Sequence, residues 1–176
     1  IMDLITSRDN AKIKYACRLR EEEKLRAADG LFFAEGPKLC LELAKSCALR
    51  TLYATRRALD RTPELAEFDG RTVEITAPVA EKLAGTKSSQ DVFGLFETPC
   101  WSSEALLAGA RRLLALEGVQ DPGNVGTLLR SAAAFGFDGV LLSKGCAAPF
   151  APKTLRASMG AAGRLPVAPV QDLPQA

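Results

Sequence analysis

Histidine is absent from this 176-residue chain. That removes Ser-His and Cys-His nucleophilic catalysis, imidazole general-base chemistry and most transition-metal sites, so hydrolase readings lose most of their support. Cysteine is sparse and unpaired in pattern. Cys17, Cys40, Cys47, Cys100 and Cys146 are odd in number, widely scattered and free of any C-x-x-C spacing, which predicts reduced packing residues, with neither a disulfide framework nor a zinc site. No apolar run approaches the roughly 18 residues that would suggest a membrane span, and the first residues lack the charged-then-apolar layout of a secretion signal. A cytoplasmic protein without a membrane partner is expected. Net charge is also small, at +2, which does not describe a wholesale polyanion coat. Residues 1–100 balance acids against bases, and residues 101–176 carry the whole excess, a distribution that suits a local anion site better.

What is present is normal for a globular protein: 47% hydrophobic and 25% charged residues, enough for one ordinary domain or two small ones. SRDNAKIKYACRLREEEKLR, residues 7–26, reads as one polar helix capped by Ser7 or Asp9, with Ile13, Ala16 and Cys17 on a thin apolar stripe. Its Lys12, Lys14, Arg18 and Arg20 are suited to RNA contact or to a solvated helix face. Strand-like segments then alternate with helical ones: strands at 31–34, 49–54, 72–76 and 92–96, helices at 37–45, 56–68 and 78–84. The alternation predicts a small α/β layer structure. Pro99 and the Ser102, Ser103 pair break the pattern, giving a domain at 1–98, a linker at 99–109 and a second α/β unit at 110–176.

In that second unit a strand at 112–119 runs into DPGNVGTLLRSAAAFG, residues 121–136. Pro122 and Gly123 form a turn, Asn124 is the expected N-cap, and Val125, Leu128, Leu129, Ala132 and Ala133 share one apolar face of a helix that Gly136 ends. Arg130 lies off that face, one turn beyond Gly126. Helical side chains lean toward the N-terminus, so the guanidinium is expected to reach back over Gly126, which has no Cβ in the way. Free N–H groups at the helix start and the fork of Arg130 would then make a phosphate pocket. An ordinary capped helix with a solvated arginine satisfies the same spacing. A second buried strand, 139–143, completes a crossover. A further helix is expected from Pro152 to Gly163, with Lys153 and Arg156 near its start, where they either meet phosphate or stand exposed. A last strand covers 165–170. Other phosphate motifs fail here: Asn124 and Val125 stand where a nucleotide-binding P-loop needs Lys and Ser/Thr, and the G-x-G-x-x-G dinucleotide fingerprint is missing.

LEGVQDPGNVGTLLRSAAAFGFDGVLLS closely resembles the first motif of the SpoU family, in the SPOUT superfamily of RNA methyltransferases, N-x-G-x-x-x-R-x-A-x-x-F-G. Asn124, Gly126, Arg130, Ala132, Phe135 and Gly136 fill every fixed position. APKTLRASMGAAGRLPV is similar to the family's following segment, and SRDNAKIKYACRLR, FAEGPKLCLELAKS and SSQDVFGLF are similar to its N-terminal substrate-binding domain. The resemblance implies a small ribosomal-protein-like α/β domain followed by the first part of an α/β knot domain with a parallel sheet. It also implies transfer of a methyl group from S-adenosylmethionine to a ribose 2′-hydroxyl of ribosomal or transfer RNA, by a homodimer. By position match Arg130 and Asn124 take the catalytic roles, with Gly126, Lys153, Arg156, Lys12, Lys14 and Arg18 as candidate RNA contacts. The family's second and third motifs, which grip the cofactor, are not in this sequence, so this chain is expected to lack the cofactor site and to be inactive alone. It is then either a piece of a protein of about 260 residues or a non-catalytic RNA-binding or dimerising module.

Overall fold

The computed structural model describes residues 3–171 and residue 173, and the chain falls into two compact units, Ile1–Glu97 and Thr98–Ala176. The first unit orders β1 (Leu4–Ile5), α1 (Ala11–Glu21), α2 (Glu23–Asp29), β2 (Leu31–Glu35), α3 (Pro37–Ala44), β3 (Leu49–Ala54) and α4 (Arg56–Arg61). A 3-10 stretch, Pro63–Arg71, then leads to β4 (Thr72–Ile75), α5 (Ala77–Leu83) and β5 (Val92–Glu97). The five strands form one mixed sheet, order β1-β4-β3-β5-β2, with β1, β4 and β3 parallel and β5 antiparallel to both β3 and β2.

Register explains the core. Phe33 pairs with Leu95, and Tyr53 with both Phe93 and Val73, so these side chains share one sheet face, onto which α1 and α5 pack Ile13, Ala16, Leu19, Val79 and Leu83. Phe33 and Phe93 stack with ring centroids 5.9 Å apart. The opposite face buries Phe32 against Phe96, 5.5 Å apart. Full burial of a side chain of this size contributes about 1.5–3 kcal/mol.

The single helix expected over residues 7–26 is two helices. Asn10 is the cap of α1, its side chain accepting from the Lys12 N–H at 2.9 Å, and Glu22 breaks the helix in extended conformation (ψ 106°). The corner is held from inside: the buried Arg26 guanidinium donates to the carbonyls of Leu19 (2.8 Å) and Arg20 (3.0 Å). The polar stretch expected as a helix over 56–68 also divides, because Thr62 and Pro63 end α4 and start the 3-10 stretch.

The second unit contains α6 (Ser103–Gly109), β6 (Leu113–Leu116), α7 (Pro122–Ala134), β7 (Gly139–Ser143), α8 (Pro152–Ser158), α9 (Ala161–Arg164) and β8 (Val167–Val170). Its three strands are all parallel, in the order β6-β7-β8, with Pro169 on the outer strand β8 opposite Leu142. Residues 99–109 are therefore not a bare linker. Ser102, read as a breaker, is the N-cap of α6, accepting from Ala105 N–H at 3.2 Å, and α6 lays Leu106 against Gly139. The helix expected from Pro152 to Gly163 is interrupted, since Met159 (φ 50°) and Gly160 (φ 83°) are both left-handed. The buried Ser158 hydroxyl donates to the Leu155 carbonyl and accepts from Ala162 N–H, joining the two short helices across the break.

Candidate functional site

The site that matters in the second unit is the amino end of α7 and the side of α8 that lies on it. Asp121, not Asn124, caps α7. The Asp–Pro junction keeps residue 121 extended (ψ 121°), Pro122 occupies the first helical turn, and the Asp121 carboxylate accepts from Asn124 N–H at 2.9 Å. Lys153, from the first turn of α8, reaches the other carboxylate oxygen at 3.2 Å. Asn124 N–H first, and then Lys153, hold the Asp121 carboxyl below its usual pKa. The free helix start expected as a phosphate cradle is thus already occupied by the protein's own carboxylate, because Asp121 lies three residues before Asn124, where an N-cap oxygen meets the N3 amide.

Gly126 is likewise different from expectation. It is buried, and a Cβ built on it would lie 2.5 Å from both Ala157 Cβ and the Thr154 carbonyl, and 2.9 Å from Ser158 N. Helix α8 fills the space that the sequence left open to a ligand. Gly126 is a crossing point of two helices, and the absent side chain lets their backbones approach.

Arg130 is therefore displaced from Gly126 toward the far end of α8. It is exposed, donates from Nη1 to Met159 Sδ at 3.4 Å, and pairs with no carboxylate among the described residues. Met159, the contact of this arginine, is 63% exposed, and Phe135, at the end of α7, is 73% exposed, so two large apolar side chains stand at the surface of this unit. Asn124 is exposed too, with no hydrogen bond to its side-chain amide among the described residues. Six residues separate it from Arg130, about 9 Å along the axis and about 120° around it, so the two side chains diverge on α7 unless the long arginine bends back. Arg156 is exposed in the last turn of α8 and has no partner among the described residues. The structure thus joins Asn124 and Lys153 through Asp121, and places Arg130 and Arg156 toward the opposite end of the α7–α8 pair.

At the carboxyl edge of the parallel sheet the polar atoms satisfy one another. Gly118 N–H meets Ser143 Oγ at 3.0 Å, Cys146 Sγ meets the Leu116 carbonyl at 3.2 Å, and Ala147 N–H meets the Val119 carbonyl at 2.8 Å. This edge is the usual ligand position of such sheets, yet these donors and acceptors are spent internally. The residues present do not amount to a nucleoside pocket.

In the first unit Lys12, Lys14 and Arg18 project from the exposed side of α1. Lys14 pairs with Asp9 at 3.2 Å and Arg18 with Glu22 at 2.8 Å, whereas Lys12 has no partner among the described residues. Sequence reasoning missed two grooves. One, of about 850 Å³, runs beside Lys12 and brings in Arg50 and Arg71; the other, of about 500 Å³, gathers Lys38, Arg57 and Arg61. Lys12, Arg50 and Arg71 come from three segments, and Lys38 comes from α3 while Arg57 and Arg61 come from α4, so no short window of sequence displays either set whole. Among the described residues no cluster of three or more His, Cys, Asp or Glu is placed to hold a metal, and no helix is long and apolar enough to cross a membrane.

Comparison with known proteins follows the same division. Residues 111–176 match the SpoU rRNA Methylase family, and residues 10–94 match the MRM3-like substrate binding domain. The chain is 31% identical over 166 residues to the 23S rRNA (guanosine(2553)-2′-O)-methyltransferase RlmP of Bacillus subtilis (strain 168), covering 94% of this chain and 64% of that protein. It is 32% identical over 150 residues to the mitochondrial rRNA methyltransferase 3 of Homo sapiens, covering 81% of this chain and 36% of that one. The crystal structure of an AdoMet-bound rRNA methyltransferase from Sinorhizobium meliloti superposes with a TM-score of 0.82 at 27% identity, covering 97% of this chain and 65% of that one. The chain thus spans less than two thirds of the length of these relatives. Both of its units are matched, the second through the segment that carries Asn124, Gly126 and Arg130, and the chain belongs to the SpoU family.

Proposed function

We propose that this chain is the RNA-binding unit and the first-motif part of a ribose 2′-O-methyltransferase acting on ribosomal or transfer RNA in the cytoplasm. The observation that carries this reading is Arg130, exposed and without a carboxylate partner among the described residues, on the helix that matches the family's first motif. S-adenosylmethionine, which the Sinorhizobium meliloti relative binds, would supply the methyl group. At the carboxyl edge of β6, β7 and β8 the Gly118 amide and the Leu116 carbonyl are engaged by Ser143 and Cys146, and the residues that would hold the cofactor are read as lying in the part of the relatives that this chain does not span.

The protein's own residues have a positioning task. Methyl transfer needs a ribose oxygen held in line with the methyl carbon, and fixing that geometry accounts for much of the rate in such reactions. Arg130 presents a planar fork suited to a phosphodiester next to the reacting ribose. With a pKa above about 12 an arginine is a poor base at neutral pH, so its role is to anchor phosphate and stabilise developing charge, while the hydroxyl proton leaves through water or another group. The unpartnered amide of Asn124 is available to a ribose. Lys153, Arg156, Lys12, Lys14 and Arg18 add electrostatic attraction for RNA, and of these Lys153, Lys14 and Arg18 first have to leave Asp121, Asp9 and Glu22. The exposed Phe135 and Met159 support assembly with a second copy, which would cover both apolar side chains.

The test uses the full-length protein with labelled S-adenosylmethionine and ribosomal RNA. Arg130→Ala lowers methyl transfer by about 10²–10³ and leaves cofactor binding, measured by calorimetry, unchanged. Loss of cofactor binding in that variant removes the phosphate-anchoring role. RNA binding by the full-length protein without any methyl transfer favours the non-catalytic module instead.

A further inference from the structure

The larger groove of the first unit has features that ion pairing on α1 does not explain. Its floor is the open part of one sheet face: Leu31, Tyr53, Val73 and Leu95 come from β2, β3, β4 and β5 and share a side by register. Helix α1 covers the rest of that face and stops short here, leaving Lys12 and Tyr15 as one wall. The Tyr15 ring is pinned by its hydroxyl, which donates to Asp29 Oδ2 at 2.5 Å. On the floor, Tyr53 is only 2% exposed, yet its hydroxyl has no hydrogen-bond partner among the described residues. Burial alone pushes that phenol up to about 12, so it stands as a neutral O–H donor. That hydroxyl opens onto the groove, where an entering ligand can accept from it. On the rim, Lys12 and Arg71 are exposed and unpaired among the described residues, while Arg50 pairs with Glu97 at 3.1 Å. Asp3 and Asp69 also line the groove.

We propose that this groove takes a single unpaired nucleotide of the RNA, with its base on the apolar floor within reach of the Tyr53 hydroxyl and its flanking phosphates on Lys12 and Arg71. The reading rests on the RNA substrate proposed above. A base supplies both a flat apolar face and polar edges, which this floor can match, and aromatic walls of this kind favour unstacked bases over duplex. The carboxylates of Asp3 and Asp69 oppose a continuous run of backbone phosphates along the groove, which favours one inserted nucleotide over a tracked strand. Lys12 thereby acquires a defined role, and Arg71, which no sequence pattern singles out, joins it.

The experiment measures binding of a decauridine RNA and of a ten-base-pair RNA duplex to the full-length protein by fluorescence anisotropy across a salt series. Decauridine binds more tightly than the duplex. Lys12→Ala with Arg71→Ala weakens decauridine binding at least about tenfold and flattens the slope of log K against log salt by about 1.4, the value for two single-strand phosphate contacts. Tyr53→Phe, which keeps the ring and the fold, weakens it about fivefold with the slope unchanged. Both variants binding within twofold of the parent, or the duplex being preferred, overturns the groove assignment. If the parent still methylates ribosomal RNA in that case, only the groove assignment falls. If the parent neither binds nor methylates RNA, the methyltransferase reading falls with it.

Discussion

The two units of this chain reach stability by opposite means. The first closes a five-stranded mixed sheet with aromatic pairs on both faces, and its core consists of large side chains such as Phe33, Phe93, Phe32 and Phe96. In the second, a three-stranded parallel sheet carries helices joined through small residues, with Gly126 against Ala157 and with Ala132, Ala161 and Ala162 buried nearby in sequence. Volume dominates one and close backbone approach the other. A large core tolerates changes at its margin, whereas a crossing built on one missing side chain tolerates none there. The arginine proposed to anchor phosphate sits on the less forgiving unit, since Arg130 is one turn beyond the glycine that sets the helix spacing.

The contrast can be broken at either side. The largest effect is expected from Phe93→Ala, which should cost about 3–5 kcal/mol, read as earlier chemical unfolding of the first unit; a loss below about 1 kcal/mol would mean that the aromatic stack is not the keystone described. Gly126→Val should cost the second unit about 3 kcal/mol, because the two nearest obstacles are Ala157 Cβ and the Thr154 carbonyl, and the carbonyl is a backbone atom that cannot rotate away. Differential scanning calorimetry would show that loss, and an unchanged melting profile would refute the tight crossing. Thr154→Val should move in the other direction. The Thr154 hydroxyl is buried and has no partner among the described residues, so its replacement by a methyl of similar shape is expected to raise stability by about 1 kcal/mol.

The smallest effect concerns pH. Asp121 has its pKa lowered by Asn124 N–H and Lys153, so the stabilising contribution is complete above its ordinary value and fades as pH falls through the depressed one. Asp121→Asn should therefore lower the melting temperature of the second unit modestly at pH 7, and the gap to the parent should close in acid. A gap that widens in acid would show that the carboxylate is not the cap.

Much of this architecture can be read from residue patterns. The strands at 49–54 and 139–143 appear where expected, because β-branched and apolar runs bounded by turn residues leave little choice, and Gly136 is left-handed as its place after α7 demands. Cap choice is harder. Asp121 and Asn124 are both good N-caps three residues apart, and only the extended residue before Pro122 decides between them. Tertiary approach is hidden altogether: nothing local in DPGNVGTLLR tells whether Gly126 faces a ligand or another helix, and it faces α8. The left-handed Met159 is equally hidden, since no propensity favours methionine there. The motif singles out Arg130 and Asn124 as candidates, whereas nothing local groups Arg50, Arg71 and Tyr53, because the sheet assembles them from distant segments.

Pro169 has a consequence for whatever lies beside β8. Among the described residues that strand is the margin of its sheet, and an imide nitrogen has no proton to offer there. Any extended segment that adds itself along this side, from the same protein or from another molecule, meets a missing rung at residue 169, while the strand stays paired to its inner neighbour β7.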